Sequence, residues 1–429
     1  MLTPTAARCC ALLFCAAPLL VFGATTETPL PSITPAVNAL GLDLYREQIK
    51  SANGTNVLLS PYSLSSALAM TYTGADGVTR DEMQKALHLP ADPADCGAAF
   101  HSLAAQLAEV VGASEAIVAN QQKYGGDATP IQLNVANRIF VQSGYELRPT
   151  FIEQLRQNFG ANPARLDFRR NPVQARQTIN RWVAEQTYDR IRDLLPENQP
   201  TPYTQLALVN ALYLRAAWQH EFKTSATRHE PFQFIVAKAV PVPMLRDQSW
   251  YGYSKRDGYT VVTLPYITGK LQFVLLVPDA TDGLAALEKS LTEPALTACA
   301  RLDSREVNLH LPKFKLAPAT LPLSQALQTL GLRTAFDLPK GSANFDRMAP
   351  RKKDGYLYIE EVFHKTWLAL DEHGTEAAAA TAMAAGFAAG IPREQPRPVE
   401  VRADRPFMFA LQHVPSGACL FLGRVTDPR

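Results

Sequence analysis

The sequence predicts one large α+β domain, and three observations carry that prediction. Helical periodicity is concentrated in the first half of the chain, strand patterning dominates the second half, and no internal repeat or linker separates them. The 429 residues are 47% hydrophobic and 19% charged, an ordinary globular balance with ample length for a large core. Length alone would fit two or three domains. The Pro-rich patches 196–202 and 392–398 are nevertheless short and read as surface loops. A formal net charge of only +2 gives no electrostatic support for a nucleic-acid partner or a polybasic membrane anchor.

Taken in order, the first residues read as an export signal (1–23). Arg8 supplies a positive start, Cys9 to Phe22 is almost wholly apolar, and small residues follow at Gly23 and Ala24. A Pro- and Thr-rich tail (24–37) follows. No later segment is expected to span a membrane, so the mature protein should be soluble and secreted, to the extracellular space or the periplasm. Once the signal is removed, Cys96, Cys299 and Cys419 remain, an odd and widely spaced set. That set argues against both a disulfide framework and a zinc site, and predicts buried free thiols.

The helical pattern begins near Asn38. Ser60-Pro61 opens a second helix, with Ser60 placed to cap and Pro61 in the first turn. Ile179, Trp182, Val183, Ile191, Leu194 and Leu195 read as one apolar helical face closed by Pro196. Leu206 to Leu214 and Leu271 to Val277 are dense apolar runs that suit buried strands. Val307, Leu309 and Leu311 alternate with Asn308 and His310, the period of a half-buried strand. Phe407 to Leu411 and Cys419 to Val425 flank Pro415-Ser416-Gly417 and read as a hairpin.

The most informative stretch is Glu372-His373-Gly374-Thr375-Glu376, followed by Ala377, Ala378, Ala379 and Ala380 and a run of small residues to Ile391. Local propensity reads this segment as an Ala-rich helix or a flexible linker. A third reading treats it as a dormant strand. If extended, Thr375, Ala377, Ala379, Thr381, Met383, Ala385 and Phe387 would share a face, and none would bury a charge. Gly374 supplies a hinge free of β-carbon restrictions. The absence of proline from Gly374 to Ile391 leaves every backbone N–H free to join a central sheet.

Dense motifs in a fixed order identify a family. They are Asn56-Val-Leu-Leu-Ser-Pro-Tyr-Ser-Leu-Ser, Gly74-Ala-Asp-Gly-Val-Thr, Leu208-Val-Asn-Ala-Leu-Tyr followed by Trp218, Leu264-Pro-Tyr and Leu311-Pro-Lys-Phe. Later come His364-Lys365, Glu372 to Ala380, Ala403-Asp-Arg-Pro-Phe-Met-Phe and Phe421-Leu-Gly-Arg-Val. Over 38–429 the chain resembles the serpins. The resemblance implies three β-sheets, eight or nine helices and an exposed reactive-centre loop at about 372–400. It also implies a metastable, monomeric inhibitor that needs no cofactor, metal or catalytic residue of its own. A serine protease would attack the loop and form its acyl-enzyme, and the cut loop would then enter the central sheet and distort the protease.

By matching positions, Glu372 should pair with Lys313 near Trp218, at the breach where insertion starts. Ser60, Ser63, Asn210 and His364 match a polar shutter beneath the sheet. Family spacing places the scissile bond at Ala388-Ala389, bait for an elastase-like protease. The rivals are Arg393-Glu394, suited to a trypsin-like pocket, and Phe387, suited to a chymotrypsin-like one. An extended strand from Glu372 reaches roughly 55 Å to Ala388 and about 70 Å to Arg393, and the longer tether would be slack. Other readings are a non-inhibitory serpin acting as a binding protein, or an enzyme. Non-inhibitory members carry bulky or charged hinges, which this one lacks. No Gly-x-Ser-x-Gly, His-Glu-x-x-His or phosphate-loop motif supports an enzyme.

Overall fold

The computed structural model describes residues 32–126, 128–234, 238–352, 355–376 and 397–429. The expected export signal, the inner hinge Ala377, Ala378, Ala379 and Ala380, and the bait candidates Phe387, Ala388, Ala389, Arg393 and Glu394 lie outside the described residues.

Among the described residues the helices are α1 (Thr34–Ser51), α2 (Pro61–Tyr72), α3 (Gly77–Ala86), α4 (Pro93–Gln122), α5 (Pro149–Phe159), α6 (Pro172–Gln186), α7 (Leu284–Ser290), α8 (Glu293–Thr297) and α9 (Ser324–Thr329). The strands of the first half are β1 (Val57–Leu59), β2 (Gln132–Gln142), β3 (Ala164–Leu166) and β4 (Leu206–Ala217). A second group follows: β5 (Arg228–Phe232), β6 (Val240–Arg256), β7 (Tyr259–Pro265), β8 (Leu271–Pro278) and β9 (Ser304–Pro312). Then come β10 (Phe314–Leu316), β11 (Leu321–Pro322), β12 (Ile359–Thr366), β13 (Leu368–Asp371) and β14 (Gly374–Thr375). The chain ends with β15 (Val399–Arg402), β16 (Phe407–His413) and β17 (Cys419–Val425).

Hydrogen bonding joins the strands into two sheets. One runs β1-β17-β16-β8-β7-β6-β9-β15, with β5 also on β6; the other runs β10-β13-β14-β4-β12-β11, with β2 on β4 and β3 on β2. The three sheets implied by the resemblance become two hydrogen-bonded units because β6 is long enough to serve two of them. Its start pairs with β5, its middle with β9 and its end with β7. The hairpin read from Pro415-Ser416-Gly417 forms as β16–β17, and β16 is flanked on its other side by β8.

Strand β4 shows why a continuous apolar run is needed. Leu206, Leu208, Leu212 and Leu214 enter the main core, while Ala207, Val209 and Ala211 enter a second core beneath α6. A strand buried on both faces cannot alternate. Ser60 caps α2 by accepting from the Ser63 N–H at 3.3 Å, and Pro61 occupies the first turn. Cys96, Cys299 and Cys419 are buried and free.

Several expectations change. Helix α1 begins at Thr34 rather than near Asn38, with Pro35 in its first turn and Ile33 already buried. The helix read from Ile179 to Leu195 stops at Gln186. Tyr188 and Asp189 take positive φ (49° and 61°), and an irregular segment then delivers Ile191, Leu194 and Leu195 to the same core as Ile179 and Val183. His310 is buried rather than solvent-facing, because Glu230 and Glu400 flank its ring and Arg402 covers it. Contrary to expectation, α4 is by length and composition long and apolar enough to cross a membrane. Its buried residues, Cys96, Ala99, Phe100, Leu103, Leu107, Val110, Ser114 and Val118, instead form one helical stripe, which packs on α2 and α5.

A buried ion pair ties α7 to the final hairpin. Arg424 and Glu288 approach to 2.9 Å with both side chains 6% exposed, and the Tyr45 hydroxyl donates to the same carboxylate at 2.7 Å. Replacing Arg424 with Met would leave Glu288 buried without its counter-charge, at a cost of about 3–5 kcal/mol. The urea midpoint should fall accordingly, and the Glu288→Leu/Arg424→Met double variant should recover most of the loss.

Candidate functional site

The site lies where β12 and β4 meet. Over Ile359 to Thr366 they run parallel, with His364 opposite Asn210 and Thr366 opposite Leu212. Beyond Thr366 they part. Strand β13 turns to β10 on one side, and on the other accepts β14, which is antiparallel to both β13 and β4. Gly374 and Thr375 therefore already occupy the gap between the separated strands, with Gly374 opposite Ala217 and Thr375 opposite Ala216. The Ala369 carbonyl accepts from the Glu376 N–H at 2.9 Å.

Only glycine fits at 374. Its φ is +151°, and a β-carbon there would stand 2.1 Å from the Ala216 carbonyl oxygen. Thr375 is buried, and its hydroxyl shares a hydrogen bond with Tyr266. The Tyr266 ring stacks on Trp218 at 4.7 Å. Trp218 holds the turn before β14 in two ways: its backbone N–H donates to the His373 carbonyl at 2.9 Å, and its indole N–H donates to Asp371 at 3.0 Å. A strand that starts here rests on an aromatic floor.

Glu372 sits at the top of the gap, with its side chain 7% exposed. It accepts from Lys313 at 2.7 Å and from the Thr227 hydroxyl at 2.9 Å. Burial opposes its ionisation, but the Lys313 ammonium and the hydrogen bonds outweigh that and hold the carboxyl below its ordinary range. Lys313, Trp218 and Glu372 are thus neighbours. Glu376, at the exit of β14, adopts φ +48° and pairs with Arg190, whose guanidinium also lies 5.0 Å from the Trp367 ring.

Lower down, a chain of buried polar groups crosses three strands. His364 Nε2 accepts from the Ser60 backbone N–H at 3.0 Å, so its proton resides on Nδ1 and is donated to Asn210 Oδ1 at 2.5 Å. Asn210 donates onward to Asn137 of β2 and to Ser63, both at 2.5 Å, and Asn137 donates to the Ser63 carbonyl at 3.0 Å. The four residues proposed from sequence come together. Asn137 completes them and was missed, because one asparagine among the several polar residues of β2 carries no signal of its partner across the sheet.

Burial pushes His364 down to about 3 and His413 to about 4. The unfolded imidazole takes up its proton near 6.5, while folded His364 stays neutral until about 3. Stability is therefore indifferent to this group above about 6.5, and falls by about 1.4 kcal/mol per pH unit between the two values. Unfolding in urea should become easier from pH 7 to pH 4, and His364→Asn should roughly halve that slope, leaving the comparable share of His413. An unchanged slope would show that His364 does not govern acid loss.

The serpin family model, described as a serine protease inhibitor, matches residues 35–428. The chain is 35% identical to leukocyte elastase inhibitor of Bos taurus, over 93% of this chain and all of that protein. It is 32% identical to serpin B10 of Rattus norvegicus, again over 93% of this chain and all of that one. The crystal structure of Serpin48 from Tenebrio molitor superposes with a TM-score of 0.75 at 27% identity, covering 92% of this chain and 98% of that one. With the strand architecture and the family match in agreement, the chain belongs to the serpins, a family of serine protease inhibitors and not of enzymes.

Proposed function

We propose that this chain is a suicide-substrate inhibitor whose bait is Ala388-Ala389 and whose hinge, Glu372 to Ala380, carries the cut loop into the gap between β13 and β4. The observation that carries this reading is β14, two residues of an added strand already antiparallel to both neighbours. Continuing it downward exchanges one parallel β4–β12 ladder for two antiparallel ones, the more stable pairing per residue. The protease serine attacks the Ala388 carbonyl, the Ala389 amine leaves, and the resulting ester tethers the enzyme to a strand that gains by moving inward. Lys313, Glu372 and Trp218 guard the entrance, and Ser60, Ser63, Asn210 and His364 hold the lower ladder closed until it opens. The small S1 pocket required by alanine agrees with the name of the bovine relative, leukocyte elastase inhibitor.

We also infer export as a soluble monomer. The apolar stretch Cys9 to Phe22 precedes the residues matched by the family, which begin at 35. Sequencing the N-terminus of the protein recovered outside the producing cell should find a start near Ala24. A product that keeps Met1 and stays inside the cell would overturn export.

Incubation with an elastase should give a complex stable to denaturation, together with a C-terminal peptide beginning at Ala389. A peptide beginning at Glu394 in a complex with trypsin would keep the mechanism and move the bait to Arg393. Thr375→Arg would force a charge between β13 and β4 beneath Tyr266, so this variant should be cleaved with little or no complex. Full inhibition by Thr375→Arg would sink the insertion mechanism. Cleavage of the unmodified protein without complex would instead favour a non-inhibitory serpin.

A further inference from the structure

A cavity of about 350 Å³ opens between α4, the segment after α5, α6 and β2, and Asn137 is among the residues that line it. Over Gln132 to Ile139, β2 is paired only with β4, and its other edge faces this space. Phe100, Leu107, Val111, Leu133 and Phe159 make much of the lining apolar. One cation stands among them. Arg138 lies 4.5 Å from the Trp182 ring and 5.9 Å from the Phe140 ring, and among the described residues no carboxylate or other hydrogen-bond acceptor meets its guanidinium. Burial lowers its pKa, the mark of a cation short of counter-charge. Cation–π contacts orient the guanidinium but leave its in-plane donors free, and those donors match a carboxylate.

We propose that this cavity binds an amphipathic monocarboxylate, with its carboxylate on Arg138 and its apolar body along the α4 wall. The volume holds about twelve heavy atoms at roughly 30 Å³ each, the share of a water in the liquid. A ten-carbon acid has that size. A compact polyanion would leave the apolar wall empty, and a neutral hydrocarbon would leave the guanidinium unanswered. Ala104 and Ala108 are exposed at the rim and leave the entrance unobstructed.

The test is calorimetric titration of the full-length protein with sodium decanoate below its micelle concentration. One-to-one binding is expected, with affinity falling about fourfold for each methylene removed. Decanol should bind at least tenfold more weakly than decanoate, and so should decanoate to Arg138→Gln. Ala104→Trp, which plugs the rim without touching Arg138, should abolish binding, and it decides the question if Arg138→Gln folds poorly. Multiple weak sites, no saturation below millimolar decanoate, or equal affinity in both variants would overturn the proposal.

Discussion

The parallel ladder between β4 and β12 is held from below by a polar chain and split from above by two residues of a new strand. Each polar group in that chain is satisfied only while the strands stay together: His364 reaches Asn210 across the ladder, and Asn210 reaches Asn137 on the next strand. Separating β12 from β4 would break the first of these contacts and leave buried groups unpaired, at about 1–3 kcal/mol each. That cost opposes opening. In the proposed insertion, the gain on the other side would be antiparallel bonds on both faces of the gap, continuing those that β14 already makes.

The surrounding architecture positions that balance. Helix α2 delivers Ser60 and Ser63 from its capped N-terminus, because the cap that starts the helix also points its first turn at the sheet. The Trp218–Tyr266 stack gives the upper gap a rigid floor, and Lys313 ties Glu372 over its mouth. Glu376 leaves the sheet at positive φ, a conformation that costs a non-glycine residue roughly 1–2 kcal/mol, and the Arg190 pair helps hold it there. The hinge is thus anchored at both ends of β14, by a carboxylate before it and another after it.

The two cores divide the labour. The main core fixes the large sheet and α1 to α5, whereas the second is a thin layer between α6 and the outer face of β2 and β4. Small side chains on β4, Ala207 and Ala211, face that thin layer. If the sheet opens between β12 and β4 as proposed, β4 and β2 would move beneath α6, and short side chains offer the least interlocking against such movement. The cavity around Arg138 lies at the margin of the same layer.

Much of this protein is written locally in its chain. Alternation and apolar runs marked β4, β8, β9 and the final hairpin, and the Ser60-Pro61 pair marked a helix start. Those signals are legible because backbone geometry and burial, on one face or on both, act over a few residues. The ordered motifs added the pairing of Glu372 with Lys313 and the grouping of Ser60, Ser63, Asn210 and His364. Tertiary structure decided what no local pattern encodes. It stopped α6 at Gln186 while still burying Ile191 and Leu195, turned His310 inward between Glu230 and Glu400, brought Asn137 to Asn210, and seated Gly374 against the Ala216 carbonyl. In each case the deciding contact joins residues distant in sequence, and its energy exists only once the strands that carry them are assembled.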